Sequence, residues 1–317
     1  MKPQKLFLML IVLFTIGIQV NAQNATIKEN VVTFPTITDY EYFANNPAER
    51  NSLEAVVKNS AVQTLSKQEI TAEEIPEFLQ TILNQDYIVA IGSFYIKLDI
   101  KNNKCLAVKN DVENAYTNLV NSNTESKEVM QFILDKTEVL EVLKKIENGE
   151  VKVEDYNSEP KDDSDDQTFR CKNATVYSNK LSQGWHKVID KTCPVDGKAL
   201  QFGDLKLVYQ SVGIYFSLQS KGKNRQACVL GGNPNTAPEV SAYMYLEGNV
   251  RYQACTKSEK VDARLQNFSL QSIIQWRPYE GTRLLVKYDF TVQFKYAVTS
   301  GLTNPYSFPL MNIKFGY

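Results

Sequence analysis

The chain has 317 residues, 43% of them hydrophobic and 22% charged, with a formal net charge of −1. This is globular composition, and it excludes a collagenous, low-complexity or intrinsically disordered chain. One or two domains fit the length, each able to bury a core without a metal or dense disulfides. A single histidine, His186, excludes the HExxH zinc helix and every metal site built on several histidines.

The first element is an address. Lys2 and Lys5 precede an apolar run from Leu6 to Ile18, and Val20-Asn21-Ala22 follows before Gln23. That is the pattern of a signal peptide over 1–22, removed on export. The run falls short of the roughly 20 apolar residues a spanning helix needs, and no later run reaches that length, so no transmembrane helix is expected after cleavage. Location in the cell envelope (periplasm or cell surface) or outside the cell follows.

Charge then divides the chain. Residues 23–150 carry 12 Lys and Arg against 20 Asp and Glu, residues 151–168 carry 2 against 7, and residues 169–317 carry 19 against 9. An acidic domain, an acidic linker and a basic domain are expected over those ranges. Either the halves dock on each other or the basic half meets an anionic partner. Asp162, Ser164 and Asp166 alternate as calcium ligands do, but the glycine and glutamate of a helix-loop-helix calcium site are missing.

Residues 23–150 read as α+β. Pro47 and the spacing of Leu53, Val56 and Val57 predict a helix over 48–58. Thr71 and Glu74 form a capping-box pattern for a helix toward Leu83, with Pro76 complicating its start. A meander follows at 87–91, 94–100 and 105–108, turned by Gly92-Ser93 and Lys101-Asn102-Asn103-Lys104. Helices are expected at 111–120 and 125–147, the second from the stripe Val129, Phe132, Ile133, Val139, Leu140, Leu143 and Ile146, with Gly149 as its stop.

The signal segment, the charged helical stretch and Tyr87-Ile88-Val89-Ala90-Ile91-Gly92-Ser93-Phe94-Tyr95-Ile96-Lys97-Leu98-Asp99 together resemble a recurring arrangement in secreted proteins of Bacteroidota. In those proteins a short hairpin follows an N-terminal helix and an all-β region comes later. The resemblance covers about residues 1–110. It implies a bacterial protein outside the cytoplasm and assigns no catalytic residue.

Residues 169–317 read as all-β. Alternating runs recur at 175–177, 205–209, 212–218, 240–246, 249–254, 268–275, 284–298 and 310–315. Gly184, Gly203, Lys221-Gly222-Lys223-Asn224, Gly248 and Pro278 are read as punctuation between them. A β-sandwich is the expected fold, with an open or closed β-barrel as the alternative. The terminal alternation Met311, Ile313, Phe315, Tyr317 keeps an outer-membrane barrel in view.

Cys171, Cys193, Cys228 and Cys255 suit two disulfides in an exported domain, with sequential pairing favoured, and Cys105 is left as a buried thiol. Trp185, in an expected loop, and Trp276 are candidates for stacking on sugar rings. Lys221, Lys223 and Arg225, with Lys257, Lys260 and Arg264 more loosely, are candidates for an anion. The chain has no GxSxG, P-loop or dinucleotide glycine pattern, and no cofactor, metal or nucleic acid is expected. The leading expectation is a non-catalytic binding protein whose β domain meets an anionic polysaccharide or envelope protein. A hydrolase acting on glycans is the second class, and a barrel the third.

Overall fold

The computed structural model describes residues 25–66, 75–122, 126–134, 136–156, 179–190, 198–228, 237–255, 261–297 and 306–317. The signal segment 1–22, the cap at Thr71-Ala72-Glu73-Glu74, residues 157–168 of the linker, the strand at 175–177, and Cys171 and Cys193 lie outside them.

The described chain opens with β1 (Thr26–Lys28), antiparallel to β2 (Val31–Phe34). Thr36 then caps α1 (Ile37–Asn45). Its hydroxyl accepts from the Asp39 N–H at 3.0 Å, while the Asp39 carboxylate accepts from the Thr36 N–H at 3.1 Å. That exchange satisfies donors that a helix start leaves open. Apolar spacing alone misses this helix, although Thr36-x-x-Asp39 is its signal. A turn of 3-10 helix at Pro47–Glu49 leads into α2 (Arg50–Lys58), and Pro76 stands immediately before α3 (Glu77–Ile82).

The expected meander is β3 (Ile88–Ile91), β4 (Phe94–Asp99) and β5 (Lys104–Lys109). Gly92 and Asn103 turn its corners at φ +59° and +53°, the region glycine and asparagine enter most easily. After α4 (Ala115–Val120), the helix expected over 125–147 proves to be two elements, β6 (Met130–Ile133) and α5 (Val139–Glu147). Met130 and Phe132 pair with Ala107 and Cys105 of β5, and this non-local ladder overrides the helical spacing of Val129, Phe132 and Ile133. The six strands form one sheet in sequence order, parallel only between β2 and β3. One face packs on α1, α2, α3 and α5 through Phe34, Tyr40, Leu53, Leu79 and Leu143, and the other packs on α4 through Leu119. The first residues of the acidic segment also pack here, with the Tyr156 ring 5.4 Å from that of Phe132.

The remaining strands are β7 (Asn179–Asp190), β8 (Lys198–Ser211), β9 (Phe216–Cys228), β10 (Ala242–Ala254), β11 (Val261–Gln271), β12 (Ile273–Gly281), β13 (Leu285–Ala297), β14 (Tyr306–Ser307) and β15 (Met311–Phe315). One sheet runs β12-β9-β8-β7. The other runs β11-β10-β13, with β14 and β15 both on the far side of β13. Leu205, Leu207 and Leu218 of the first sheet meet Leu246, Phe290, Val292 and Phe294 of the second in one apolar core. The fold is mostly β and sandwich-like, and both sheets are open, so the described strands close into no barrel. Met311 and Ile313 of the terminal strand are buried in that core.

Several glycines read as turns are in mid-strand. A Cβ on Gly222 of β9 would come within 2.8 Å of the Phe294 ring, and one on Gly248 of β10 within 2.5 Å of the Trp276 ring. Glycine is needed at these points so that an aromatic ring of the facing sheet can lie against the strand backbone. The 240–246 and 249–254 runs are therefore one strand, β10.

The two halves are joined by more than their connection. The turn between β8 and β9 sends Val212, Ile214 and Tyr215 into the N-terminal core. The Gly213 carbonyl accepts from the Val139 N–H at 3.0 Å, and the Tyr40 hydroxyl donates to the Ile214 carbonyl at 3.1 Å. Around this plug Arg50 reaches Glu280 at 3.1 Å, Arg283 reaches Glu138 at 3.2 Å and Glu141 at 3.0 Å, and the Glu138 carboxylate accepts from the Leu284 N–H at 2.7 Å. Part of the opposite charge of the halves is thus spent on docking.

Candidate functional site

Strand alternation gives the β12-β9-β8-β7 sheet a polar outer face. On β9, Leu218, Ser220, Gly222 and Asn224 are buried, while Gln219, Lys221, Lys223 and Arg225 between them are partly exposed. Side chains on one face of a strand repeat every ~6.6 Å, so these four span about 20 Å. The register sets Lys206 and Asp204 of β8 beside Lys221 and Lys223, and Ser182 and Gly184 of β7 beyond them. Ile75, Glu77 and Gln80, at and before α3, rise along one side. Together these residues line a groove of about 570 Å³.

Its electrostatics are mixed. The Lys221 ammonium donates to Glu77 Oε1 at 3.1 Å, and Arg277, on the adjacent β12, pairs with the other oxygen of the same carboxylate. Lys223 lies 3.3 Å from Glu239, and Arg225 pairs with Asp204. Burial pushes the Glu77 carboxyl up, but Arg277 and Lys221 outweigh it and hold the group below its ordinary value. Four cations (Lys206, Lys221, Lys223, Arg225) line the groove against two carboxylates (Glu77, Asp204), an excess of two positive charges. Gln80, Gln183, Gln210 and Gln219 add amides that both donate and accept. Such a surface carries donors spaced along a line for anionic groups and amides between them for hydroxyls.

Lys221, Lys223 and Arg225 are therefore brought together, though not as expected: Lys221-Gly222-Lys223-Asn224 is the middle of β9, not a loop. Asn224 is fully buried there, donating to the Val240 carbonyl at 2.8 Å. Arg264 belongs to β11 of the other sheet, and Lys257 and Lys260 lie outside the described residues. Trp276 lies outside the groove: its ring meets Phe290 edge-on at 5.4 Å over Gly248 and is partly buried against the sandwich core. Trp185 is in strand β7 opposite Gly203 rather than in a loop, and its side chain lies outside the description. Period-two spacing in Gln219-x-Lys221-x-Lys223-x-Arg225 is the signal that would have placed the basic row on a strand. Glu77 and Arg277 carry no such signal, because they lie far from that row in sequence.

Among the described residues no two cysteines are at disulfide distance. Cys228 ends β9 opposite Ala199, whereas the Cys255 N–H donates to the Leu284 carbonyl, three residues past Gly281, which pairs with Phe216 at the other end of β9. Thirteen residues of strand, about 40 Å, separate them, against the ~6 Å between Cα atoms that a disulfide requires. The sequential pairing Cys228 to Cys255 is thereby overturned. Cys105 is a buried free thiol, and burial pushes its pKa far up, which disfavours the thiolate that reacts.

Among the described residues no group of three or more His, Cys, Asp and Glu side chains is placed to hold a metal, and no helix is long and apolar enough to cross a membrane. Comparison of the chain with protein-family models, with curated proteins and with solved structures finds no match.

Proposed function

We propose that this is an exported, non-catalytic binding protein whose groove on the β12-β9-β8-β7 face takes an anionic polysaccharide. The observation that carries this reading is the row Gln219, Lys221, Lys223 and Arg225, evenly spaced along one strand and open to solvent on one side. A linear polymer with a charge on its repeating unit matches such a row, because each cation meets a similar group. Export rests on the signal pattern Lys2, Lys5 and Leu6 to Ile18 and on the resemblance to secreted Bacteroidota proteins. Binding is favoured over glycan hydrolysis because Glu77 and Asp204, the carboxylates of the groove, are both held in ion pairs. A glycosidase acid needs a carboxyl with a raised pKa, and that of Glu77 is lowered.

The test is calorimetric titration of the chain from Gln23 onward with polygalacturonate oligomers and with sulfated glycan oligomers, at low and at physiological salt. Binding that weakens with salt and is lost in K221A/K223A/R225A is expected. Silence at both salts, or binding untouched by that variant, overturns the reading and moves the search to envelope proteins.

A further inference from the structure

The groove already holds an anion of its own. Glu77 Oε1 lies 3.1 Å from the Lys221 ammonium and its other oxygen meets the Arg277 guanidinium, so two cations from adjacent strands grip one carboxylate. Arg277 is held in place by the Gln219 side chain, to which its Nε donates at 3.3 Å, and it also lies 3.8 Å from Glu280. The Glu77 side chain is half exposed, whereas that of Arg277 is 20% exposed and that of Lys221 27%. The carboxylate is therefore the most solvent-accessible member of the trio, and the two cations are the more buried.

We infer that Lys221 and Arg277 form a carboxylate subsite at one end of the groove, and that Glu77 is its internal occupant, which an acidic sugar displaces. This rests on the proposed binding reading and names its ligand class: a polymer whose charge is a carboxylate. Three features of the pair carry the choice. The partner already bound is a carboxylate, the two cations address its two oxygens separately, and the site opens into the groove. Exchange of one carboxylate for another keeps every charge paired. An external ligand therefore gains only the difference between its own contacts and those of Glu77, and the internal carboxylate sets a threshold that a short or singly charged anion does not pass.

The experiment compares wild type with E77Q, K221A/E77Q and E247Q, titrated with polygalacturonate oligomers at low salt. Glu247 is exposed on the outer face of the other sheet, so E247Q makes the same charge change away from the groove. Removing an exposed competing pair is worth roughly a fivefold change in affinity. About fivefold tighter binding is expected in E77Q, none in E247Q, and loss of the gain in K221A/E77Q. Equal gains in E77Q and E247Q would show a general charge effect and overturn the inference, as would unchanged affinity in E77Q. In that last case the wild-type binding itself would remain, and with it the binding reading. Absence of binding in every variant overturns both.

Discussion

Arg50→Met tests whether the two halves form one cooperative structure. Arg50 is 9% exposed. Its Nε donates to the Phe43 carbonyl at 3.1 Å, and Nη2 donates to the Ala44 carbonyl at 2.7 Å and the Tyr215 hydroxyl at 3.1 Å. Nη1 meets Glu280 at 3.1 Å. It therefore caps the last turn of α1 and grips the β half at the same time, while its guanidinium lies 4.6 Å from the Phe78 ring centre. Methionine keeps the stem and its packing but removes every donor. Breaking a buried pair on one side costs about 3–5 kcal/mol. Glu280 keeps the Tyr215 hydroxyl at 2.7 Å and Arg277 at 3.8 Å, which puts its share at the low end. Two helix-end carbonyls lose a donor, at about 1 kcal/mol each. A loss of about 3–4 kcal/mol follows, since such contributions overlap. The assay is urea unfolding read by tryptophan fluorescence and by far-ultraviolet circular dichroism. Both tryptophans, Trp185 and Trp276, belong to the β half, so a fluorescence midpoint that moves with a change in α2 reports coupling between the halves. R50M/E280Q should recover part of the loss by removing the stranded charge. A fluorescence midpoint that stays put while the dichroism splits into two transitions would refute the reasoning.

Gly222→Ala places a methyl within 3 Å of the Phe294 ring and should lower stability by about 1–3 kcal/mol in the same assay, more than Gly184→Ala, whose new Cβ meets only Asp204 Oδ1 at 3.5 Å. Chain connectivity limits the cysteine pairing: Cys193 falls in the 191–197 connection whose ends lie beside Cys228, and Cys171 precedes Asn179, whose partner Tyr209 bonds to the Leu285 N–H near Cys255. A non-reducing peptide map should accordingly give Cys193 with Cys228 and Cys171 with Cys255, and Cys105 should resist alkylation until the chain unfolds. On pH, burial pushes the Glu77 and Glu141 carboxyls up, but Arg277 and Lys221 at one, and Lys144 and Arg283 at the other, outweigh it and hold both below their ordinary value. Such groups add stability above the ordinary carboxylate pKa and lose it as pH falls through the depressed one. Burial raises that of Glu138, which acts the opposite way, its contribution fading as pH rises through the raised value. Urea midpoints between about pH 7 and pH 3 should therefore fall on the acid side, and E77Q should flatten that fall.

Local signals carried the β meander at Ile88–Lys109 and strand β13, because turn residues and alternation there agree with the final pairing. They failed where a distant partner decides. Met130–Ile133 became a strand because β5 offers it a ladder, and Gly222 and Gly248 sit in strands because aromatic rings of the facing sheet require them. Those partners are far away in sequence, and glycine by itself reads as a turn. Lys221, Lys223 and Arg225 were legible as a basic cluster, but their geometry was not, since one misread glycine turns a strand face into a loop. Glu77 and Arg277 were not legible at all: they stand 200 residues apart in the chain and meet across the junction of the two halves.

The charge asymmetry of the chain resolves into two populations with different consequences. Arg283 faces Glu138 and Glu141 across the junction, and its guanidinium stays protonated at any ordinary pH. Lys223 and Arg225 lie against acids of their own half, Glu239 and Asp204, at the open side of the groove. Lys221 and Arg277 belong to both populations, because their shared partner Glu77 comes from the N-terminal half while the cations stand on the sheet. One wall of the groove is therefore supplied by the N-terminal half, through Ile75, Glu77 and Gln80. On this arrangement anything that loosens the junction, Arg50→Met included, should free Lys221 and Arg277 from Glu77 and remove the wall opposite them. It would trade selectivity among anions for a broader, salt-sensitive attraction to any of them.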